Sequence, residues 1–192
     1  FLVICEKQRI SPLIVINKID LDQDNHAQKL FEIYPSLGYP VLFTSAKCDL
    51  GIEALRERLA GKISGLVGPS GVGKSSLLNA IQPELGLRVS ATSQLVDKGR
   101  HTTVAREMFS LKEGGFVADL PGLRALALWD MQPEELDGYF PELRPLVQDC
   151  QFSDCTHGET EPGCAVRTAV AEGRVNPERY ISYLRMRFGD EE

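Results

Sequence analysis

Residues 68–75 read Gly68-Pro69-Ser70-Gly71-Val72-Gly73-Lys74-Ser75, a stretch that matches the pattern G-x-x-x-x-G-K-[ST]. It follows an apolar run that ends at Val67 and opens a run with helical spacing over residues 74–81. Glycines in such a loop let backbone N–H groups converge on an anion at the helix N-terminus. The stretch therefore predicts an α/β protein that binds phosphate, with Lys74 on the terminal phosphates and the Ser75 hydroxyl on Mg²⁺.

Apolar runs and helical patterns alternate on both sides of this loop. The apolar runs predict strands of a largely parallel sheet buried on both faces, and they cover residues 13–16, 41–43, 63–67 and 116–118. The helical patterns cover residues 27–34, 52–59 and 74–81, and residues 1–9 are interpreted as the end of a crossover helix. This alternation predicts a doubly wound α/β layer. Residues 82–103 show little periodicity and predict a long loop beside the ligand.

Two polar motifs, Asn17-Lys18-Ile19-Asp20 and Thr44-Ser45-Ala46-Lys47, follow the first two predicted strands. Because open α/β sheets bind ligands at the carboxyl ends of their strands, both motifs are expected in the site. They look like guanine-recognition motifs, since the Asp20 carboxylate can accept from two donors of guanine, whereas adenine would leave it unpaired. Lys18 is expected to cover the base, Asn17 to join its loop to the phosphate loop, and the Ala46 N–H to donate to the guanine carbonyl.

Two further stretches predict how the γ-phosphate and Mg²⁺ are held. Asp119-Leu120-Pro121-Gly122 follows the strand at residues 116–118 and matches D-x-x-G, in which the Asp holds Mg²⁺ through water and the Gly N–H contacts the γ-phosphate. Gly99-Arg100-His101-Thr102-Thr103 ends the long loop and offers hydroxyls to Mg²⁺, with Thr103 favoured over Thr102.

Together these patterns predict one nucleotide site. Its nucleotide-binding residues are expected to be Asn17, Lys18, Asp20, Ser45, Ala46, Lys47, Gly68, Pro69, Ser70, Gly71, Val72, Gly73, Lys74, Ser75, Ser76, Asp119 and Gly122. Its magnesium-binding residues are expected to be Ser75, Thr103 and Asp119. The expected cofactors are GTP or GDP with Mg²⁺.

Three of the five cysteines lie close together near the end of the chain. Cys150, Cys155, His157 and Cys164 are spaced C-x4-C-x-H-x6-C, and four such ligands fit a closed, tetrahedral Zn²⁺ site. Because no coordination position remains open, the predicted ion is structural.

Helices are predicted at residues 165–171 and 177–188. The sequence thus predicts a GTPase domain over residues 1–140 and a small zinc-binding helical domain over residues 141–192.

The composition limits the partners. Twenty-one Lys and Arg against 27 Asp and Glu give a net charge of −6, which argues against nucleic-acid binding by bulk charge. A local basic surface is still possible on the last two helices, from Arg167, Arg174, Arg179, Arg185 and Arg187. No apolar run has the length of a membrane span, and the start lacks the features of a signal peptide. We expect a cytoplasmic monomer without a membrane partner.

The order of the motifs identifies a family. Guanine motifs normally follow the phosphate loop, whereas here they precede it, so the sheet is predicted to be circularly permuted. With Gly99-Arg100-His101-Thr102-Thr103 and the terminal cysteines, the arrangement resembles the RsgA (YjeQ, YloQ) family of small ribosomal subunit biogenesis GTPases. Members of that family also carry an N-terminal OB-fold domain, which this sequence lacks together with the first part of the permuted sheet.

The resemblance implies a function in late maturation of the small ribosomal subunit, with GTP hydrolysis stimulated by the subunit and its rRNA. Leu123 stands where many GTPases place a water-orienting Gln, and apolar substitution there is typical of the family. His101 is the candidate catalytic residue, because an imidazole can position or deprotonate the attacking water.

Two other functions are weighed against this one. The phosphate loop also resembles that of guanylate kinases, so a P-loop nucleotide kinase is the main alternative, although it leaves the guanine motifs and the cysteines without a function. The second alternative is a zinc-dependent RNA-binding module with a vestigial nucleotide site.

Overall fold

The computed structural model describes residues 1–87, 108–119 and 131–189, with only the backbone of Asp119. Its helices are α1 (Leu2–Gln8), α2 (His26–Phe31), α3 (Ile52–Leu59), α4 (Lys74–Ile81), α5 (Ala165–Ala171) and α6 (Pro177–Phe188). Its strands are β1 (Ile14–Ile16), β2 (Val41–Phe43), β3 (Lys62–Leu66), β4 (Met108–Ser110) and β5 (Gly115–Asp119). Short 3-10 helices cover Ile19–Leu21, Pro35–Leu37, Pro83–Leu85, Pro133–Tyr139 and Val147–Asp149.

The chain forms two compact units. The sheet unit comprises Leu13–Tyr34 and Pro40–Leu123, and the helical unit comprises Phe1–Pro12, Pro35–Tyr39 and Arg124–Glu192. The segments that lead into β1 and β2 thus belong to the helical unit. The two domains predicted from the sequence, divided after residue 140, stay a prediction.

The sheet unit holds its strands in two sheets. β1 and β2 pair in parallel, with Ile14 opposite Val41, and the second sheet has the order β3-β5-β4. Within it β3 and β5 are parallel and β4 is antiparallel to β5. Parallel pairing matches the α/β prediction, whereas β4 was not predicted, because Met108-Phe109-Ser110 is not a continuous apolar run.

Helices α3 and α4 cover one face of the second sheet. Ile52, Leu55 and Leu59 recur at helical spacing along α3 and are buried with Val117 of β5, which is fully buried. On the other side of the same strands, Ile63 is 80% exposed and Phe116 is 43% exposed. The prediction of burial on both faces is therefore wrong for the runs 63–67 and 116–118, because the described residues cover only one face of β3 and β5.

The helical unit has its own core, in which α6 packs against the 3-10 helix Pro133–Tyr139 and α5 packs against the 3-10 helix Val147–Asp149. Its buried residues include Leu136, Phe140, Val166, Ala169 and Tyr183. Helix α6 begins where its sequence predicts, because Pro177 opens the first turn. The Asn176 side chain there accepts from two backbone N–H groups that the helix leaves unpaired.

Two polar clusters stabilise the helical unit. Arg179 donates to both carboxylate oxygens of Glu142, at 2.6 and 3.2 Å, in a pair that is almost fully buried. The Tyr39 hydroxyl donates to Glu6, which also accepts from Arg144. These bonds join Glu6 of α1 to Tyr39 and to Arg144. Over residues 1–87, 108–119 and 131–189, no helix has both the length and the apolarity of a membrane crossing.

Candidate functional site

The phosphate loop leads into α4 in the geometry that its glycines allow. Gly71 and Gly73 have φ values of +81° and +98°, which side chains disfavour. Gly73 is the N-cap of α4, and its carbonyl accepts from the N–H of Leu77. The Lys74 ammonium lies back over the loop, 2.9 Å from the Gly68 carbonyl oxygen. The loop thus brings the positive end of a helix and a cation together.

Asn17 connects three of the predicted motifs. Its side-chain N–H₂ donates to the Val72 carbonyl at 3.0 Å, in the phosphate loop. Its side-chain oxygen accepts from the Ala46 N–H at 3.2 Å and from the Thr44 hydroxyl at 3.3 Å. A Cβ at position 73 would collide with the Asn17 amide nitrogen, so this close approach requires glycine there. The contact between Asn17 and the phosphate loop is the one that the sequence predicts.

Lys18 and Asp20 extend from the same loop. Lys18 has a left-handed backbone with φ of +69°, and its ammonium donates to the Gly71 carbonyl at 2.6 Å. The buried Ser45 hydroxyl donates to the Asp20 carboxylate at 2.5 Å and accepts from the Cys48 N–H at 3.2 Å. Since Ser45 is itself held, it fixes one oxygen of Asp20 and leaves the other for a ligand.

The described part of the chain therefore brings the two guanine motifs to the phosphate loop. Lys47 is exposed at the same loop end, and Ser75 and Ser76 lie in the first turn of α4. Asp119 ends β5, where it pairs with Leu66 of β3. Leu66 lies two residues before the start of the phosphate loop at Gly68. The remaining predicted positions lie outside the described residues: His101, Thr102, Thr103, Gly122 and Leu123, together with the Asp119 side chain. Nucleotide binding by all these residues stays a prediction.

Thr44 is a contributor that the sequence reasoning left out of the site. It is fully buried and donates to the Asn17 side-chain oxygen. Its place directly before Ser45 was visible, but nothing in the motif shows that its hydroxyl meets Asn17. The Ala46 N–H, predicted to contact the base, donates to Asn17 instead, so its role toward a base stays a prediction.

The cysteine segment of the helical unit forms a second site. The ligand atoms of Cys150, Cys155, His157 and Cys164 all lie within 4.8 Å of one another, and three of these residues are buried. Burial raises the pKa of the Cys155 thiol to about 12, and the neighbouring Cys164 adds to this shift. The Cys155 thiol therefore resists ionisation without a cation, whereas Zn²⁺ binds thiolates and supplies the opposing charge. The residues present fit a tetrahedral zinc ion.

Two tyrosines of α6 hold the backbone of this segment. The Tyr180 hydroxyl donates to the His157 carbonyl at 2.5 Å, and the Tyr183 hydroxyl donates to the Thr156 carbonyl at 2.9 Å. Glu161 accepts from both the backbone N–H and the hydroxyl of Thr156, and these bonds lower the pKa of its carboxyl. The segment is thus fixed by contacts that do not involve its cysteines.

The arginines predicted to form a basic surface are engaged in other contacts. Arg179 is buried against Glu142 and therefore does not belong to a surface. Arg174 pairs with Glu172, and Arg167 donates to the Glu161 carbonyl. Charge counting along the sequence could not show this, because the partners lie elsewhere in the chain or on the next turn.

Comparison with known proteins gives a consistent result. A family model described as RsgA GTPase matches residues 1–129. The small ribosomal subunit biogenesis GTPase RsgA of Gemmatimonas aurantiaca is 50% identical over 187 residues, covering 97% of this chain and 61% of that protein. The Thermotoga maritima protein of the same name is 48% identical over 189 residues, covering 97% and 63%.

Solved structures show the same fold. The crystal structure of YjeQ from Thermotoga maritima superposes with a TM-score of 0.79 at 43% identity, covering all of this chain and 65% of that one. YloQ, described as a circularly permuted GTPase, gives a TM-score of 0.73 at 36% identity, covering 97% and 59%. The architecture is therefore the permuted α/β fold that the motif order predicts. The chain spans about three fifths of the length of these curated relatives.

Proposed function

The chain belongs to the RsgA GTPase family, and from this premise we propose that it binds GTP and hydrolyses it to GDP and phosphate during maturation of the small ribosomal subunit. The observation that carries the proposal is the position of Asn17, which contacts the phosphate loop through one end of its amide and the Thr44–Ala46 loop through the other. A nucleotide kinase has no need of this bridge.

Guanine specificity is assigned to Asp20. Its carboxylate can accept from the ring N–H and the exocyclic amino group of guanine, whereas adenine offers no matching pair of donors. Ser45 fixes the carboxylate by donating to one oxygen. The Lys18 stem is assigned to cover the base, which its ammonium's bond to the Gly71 carbonyl supports, and Lys47 and Ala46 are assigned to the loop that binds the base.

Phosphate binding is assigned to residues 68–76. The backbone N–H groups of the loop and the Lys74 ammonium bind the phosphate oxygens. Ser75, Thr103 and Asp119 would hold Mg²⁺, with Thr103 preferred to Thr102, and the ion would neutralise charge that develops on the phosphates. The Gly122 N–H is assigned to the γ-phosphate. The positions after residue 87 rest on their sequence motifs alone.

Hydrolysis requires a water whose oxygen attacks the γ-phosphorus as the bond to the β–γ bridging oxygen breaks. Leu123 cannot orient this water by hydrogen bonding, so we assign the role to His101, whose imidazole can accept a proton from it. Replacing His101 with Ala should lower stimulated turnover more than GDP affinity, because the water is positioned in the transition state. Equal losses of turnover and affinity would make His101 a structural residue.

A structural zinc ion is assigned to Cys150, Cys155, His157 and Cys164. The support is the convergence of three thiols and one imidazole within 4.8 Å in a buried position. When bound, the ion neutralises the thiolates and joins the ends of the segment. It performs no step of the reaction.

The partner proposed from the family is the small ribosomal subunit with its rRNA. The relatives that match 97% of this chain are named for biogenesis of that subunit. A cytoplasmic, monomeric factor is expected on the same grounds. With Arg179 buried and Arg174 and Arg167 engaged, we do not assign RNA contact to the arginines as a group.

GTP turnover with and without small subunits tests the proposal. We expect phosphate release from GTP to rise when subunits are added, and Lys74→Ala to abolish the rise while the chain stays folded. Transfer of phosphate to a nucleotide acceptor, without release into water, would favour the kinase. Equal affinity for small subunits with and without nucleotide, together with no GTP hydrolysis, would favour the RNA-binding module.

A further inference from the structure

The two nitrogens of His157 face different partners. Nδ1 lies 3.6 Å from the Cys150 sulfur and 3.5 Å from the Cys164 sulfur. Nε2 lies 3.1 Å from a carboxylate oxygen of Asp137. The imidazole is completely buried and the Asp137 side chain is 15% exposed. Nδ1 therefore faces two sulfur atoms and Nε2 faces a carboxylate. Because the imidazole is buried, water does not readily replace either partner.

The sulfur distances identify the nitrogen that faces the metal position. With Zn–S of about 2.3 Å and Zn–N of about 2.0–2.1 Å in a tetrahedron, a ligating nitrogen and sulfur stand about 3.5 Å apart. The Nδ1 distances to both sulfurs agree with this separation. Nε2 is then left to carry the ring proton and to donate it to Asp137.

We propose that Asp137 is a positioning residue for the metal: by accepting from Nε2–H it holds His157 in the tautomer whose Nδ1 lone pair binds zinc. The proposal rests on the zinc site assigned above and adds a residue outside the cysteine segment. A carboxylate behind a ligating imidazole fixes the ring orientation and makes the ligand more basic.

The position of Asp137 supports this role. It lies in the 3-10 helix Pro133–Tyr139, directly after the buried Leu136 and three residues before the fully buried Phe140. The backbone that carries Asp137 is therefore held by core packing on both sides. Because the Tyr180 hydroxyl donates to the His157 carbonyl, the backbones of both residues are fixed by contacts that do not involve the metal.

A consequence follows for the fold of the helical unit. The metal, His157 and Asp137 form one line of contacts, so metal binding stabilises the packing of Pro133–Tyr139 as well as the cysteine segment. A plain ion pair between Asp137 and a doubly protonated His157 is the competing interpretation. In that case Nδ1 carries a proton and cannot bind a metal.

Zinc affinity measured by competition with a chromophoric chelator tests the proposal on the whole 192-residue chain. We expect Asp137→Ala to weaken zinc binding about 10- to 100-fold. Asp137→Asn should lose less, because the amide oxygen still accepts from Nε2–H. The control is Glu134→Gln, an exposed carboxylate of the same 3-10 helix, which should bind zinc as the parent does.

Ring ¹⁵N spectra of the zinc-loaded chain show which nitrogen of His157 binds the metal and which carries the proton. A purely structural role of Asp137 would leave these spectra unchanged. We expect the metal on Nδ1 of His157 and a slowly exchanging proton on Nε2, with faster exchange in Asp137→Ala. Metal on Nε2, or equal zinc affinity of Asp137→Ala and parent, would overturn the proposal. A parent chain that binds no zinc would instead overturn the zinc site, and the proposal with it.

Discussion

At the scale of single residues, the candidate nucleotide site depends on Asn17, whose side-chain nitrogen and oxygen both form hydrogen bonds. The Asn17 amide donates to the phosphate loop and accepts from two residues of the Thr44–Ala46 loop. A carboxamide carries a donor nitrogen and an acceptor oxygen side by side at its tip, so it can bridge two loops. The residue therefore fixes the distance between the loop expected to bind the base and the loop expected to bind the phosphates.

Asn17→Ala tests this bridge. It leaves the Ala46 N–H without its acceptor, whereas the Thr44 hydroxyl can still donate to the Ile16 carbonyl at 3.4 Å. An unpaired buried group costs about 1–3 kcal/mol. We expect GDP binding to weaken about 10- to 100-fold, as measured by fluorescence titration. The matched control, Thr44→Val, removes one neutral bond to the same oxygen and should cost clearly less. Equal affinity of Asn17→Ala and parent would show that the bridge does not position the site.

Tyr39 gives a residue-scale prediction about the helical unit. Its buried hydroxyl donates to Glu6, and burial followed by that bond raises its pKa well above the ordinary value. Tyr39→Phe should lower the free energy of unfolding by about 2 kcal/mol at neutral pH, the usual contribution of a bond to a charged group.

The pH dependence of the same pair follows from the sign of the shift. A raised pKa in the folded state means that the unfolded chain loses the Tyr39 proton first, so the stabilisation is complete below about pH 10 and declines as the pH rises further. The difference between parent and Tyr39→Phe, measured by denaturant unfolding, should therefore shrink above pH 10. A constant difference would contradict the assigned bond.

At the scale of elements, the sequence predicts what local periodicity and capping determine. The bounds of α3, α4, α5 and α6 agree with the predicted helices, because buried residues recur along them and Gly73 and Asn176 mark two of the starts. β4 was missed, and the exposure of Ile63 was not foreseen. The β4 residues Met108-Phe109-Ser110 form no continuous apolar run. The exposure of Ile63 depends on which elements cover that face of the sheet, which local periodicity does not show.

The same limit applies to the candidate sites. Motifs predicted the residues of the phosphate and guanine loops and the four metal ligands, since those chemistries need fixed residue types at short spacing. Asp137 could not be predicted, because it reaches His157 through tertiary packing of a separate 3-10 helix. The burial of Arg179 against Glu142 was hidden for the same reason.

Gly73→Ala tests how the start of α4 meets the guanine loop. Its Cβ would collide with the Asn17 amide, so we expect at least about tenfold weaker GDP binding, which corresponds to about 1.4 kcal/mol. The control is Gly86→Ala, which also has a positive φ but open space around its Cβ. It should lower stability by about 1–2 kcal/mol and leave GDP affinity unchanged. Similar affinities for both variants would refute the close contact.

At the scale of the whole molecule, the two candidate sites belong to different compact units. All four metal ligands lie in the helical unit, and the two guanine motifs and the phosphate loop lie in the sheet unit. The units also have separate hydrophobic cores. Loss of the metal should therefore act first on the helical unit.

Removal of zinc by a chelator tests this division. We expect increased hydrogen exchange in residues 131–189, because the buried thiols lose the cation that neutralises them. GDP affinity, measured in the same samples, should change less than twofold. Restoring zinc should restore protection. Loss of GDP binding in parallel with loss of protection would show that the two sites form a single cooperative unit.

The central claim is that a permuted P-loop site in this chain recognises guanine through Asp20. Competition among GDP, XDP and ADP, for the parent chain and for Asp20→Asn, tests it most directly. Xanthine carries a carbonyl where guanine has its amino group, and the new amide can donate to that carbonyl. We predict that the parent prefers GDP and that Asp20→Asn prefers XDP, with ADP weakest for the parent. An Asp20→Asn chain that keeps the parent's preference for GDP would contradict the account.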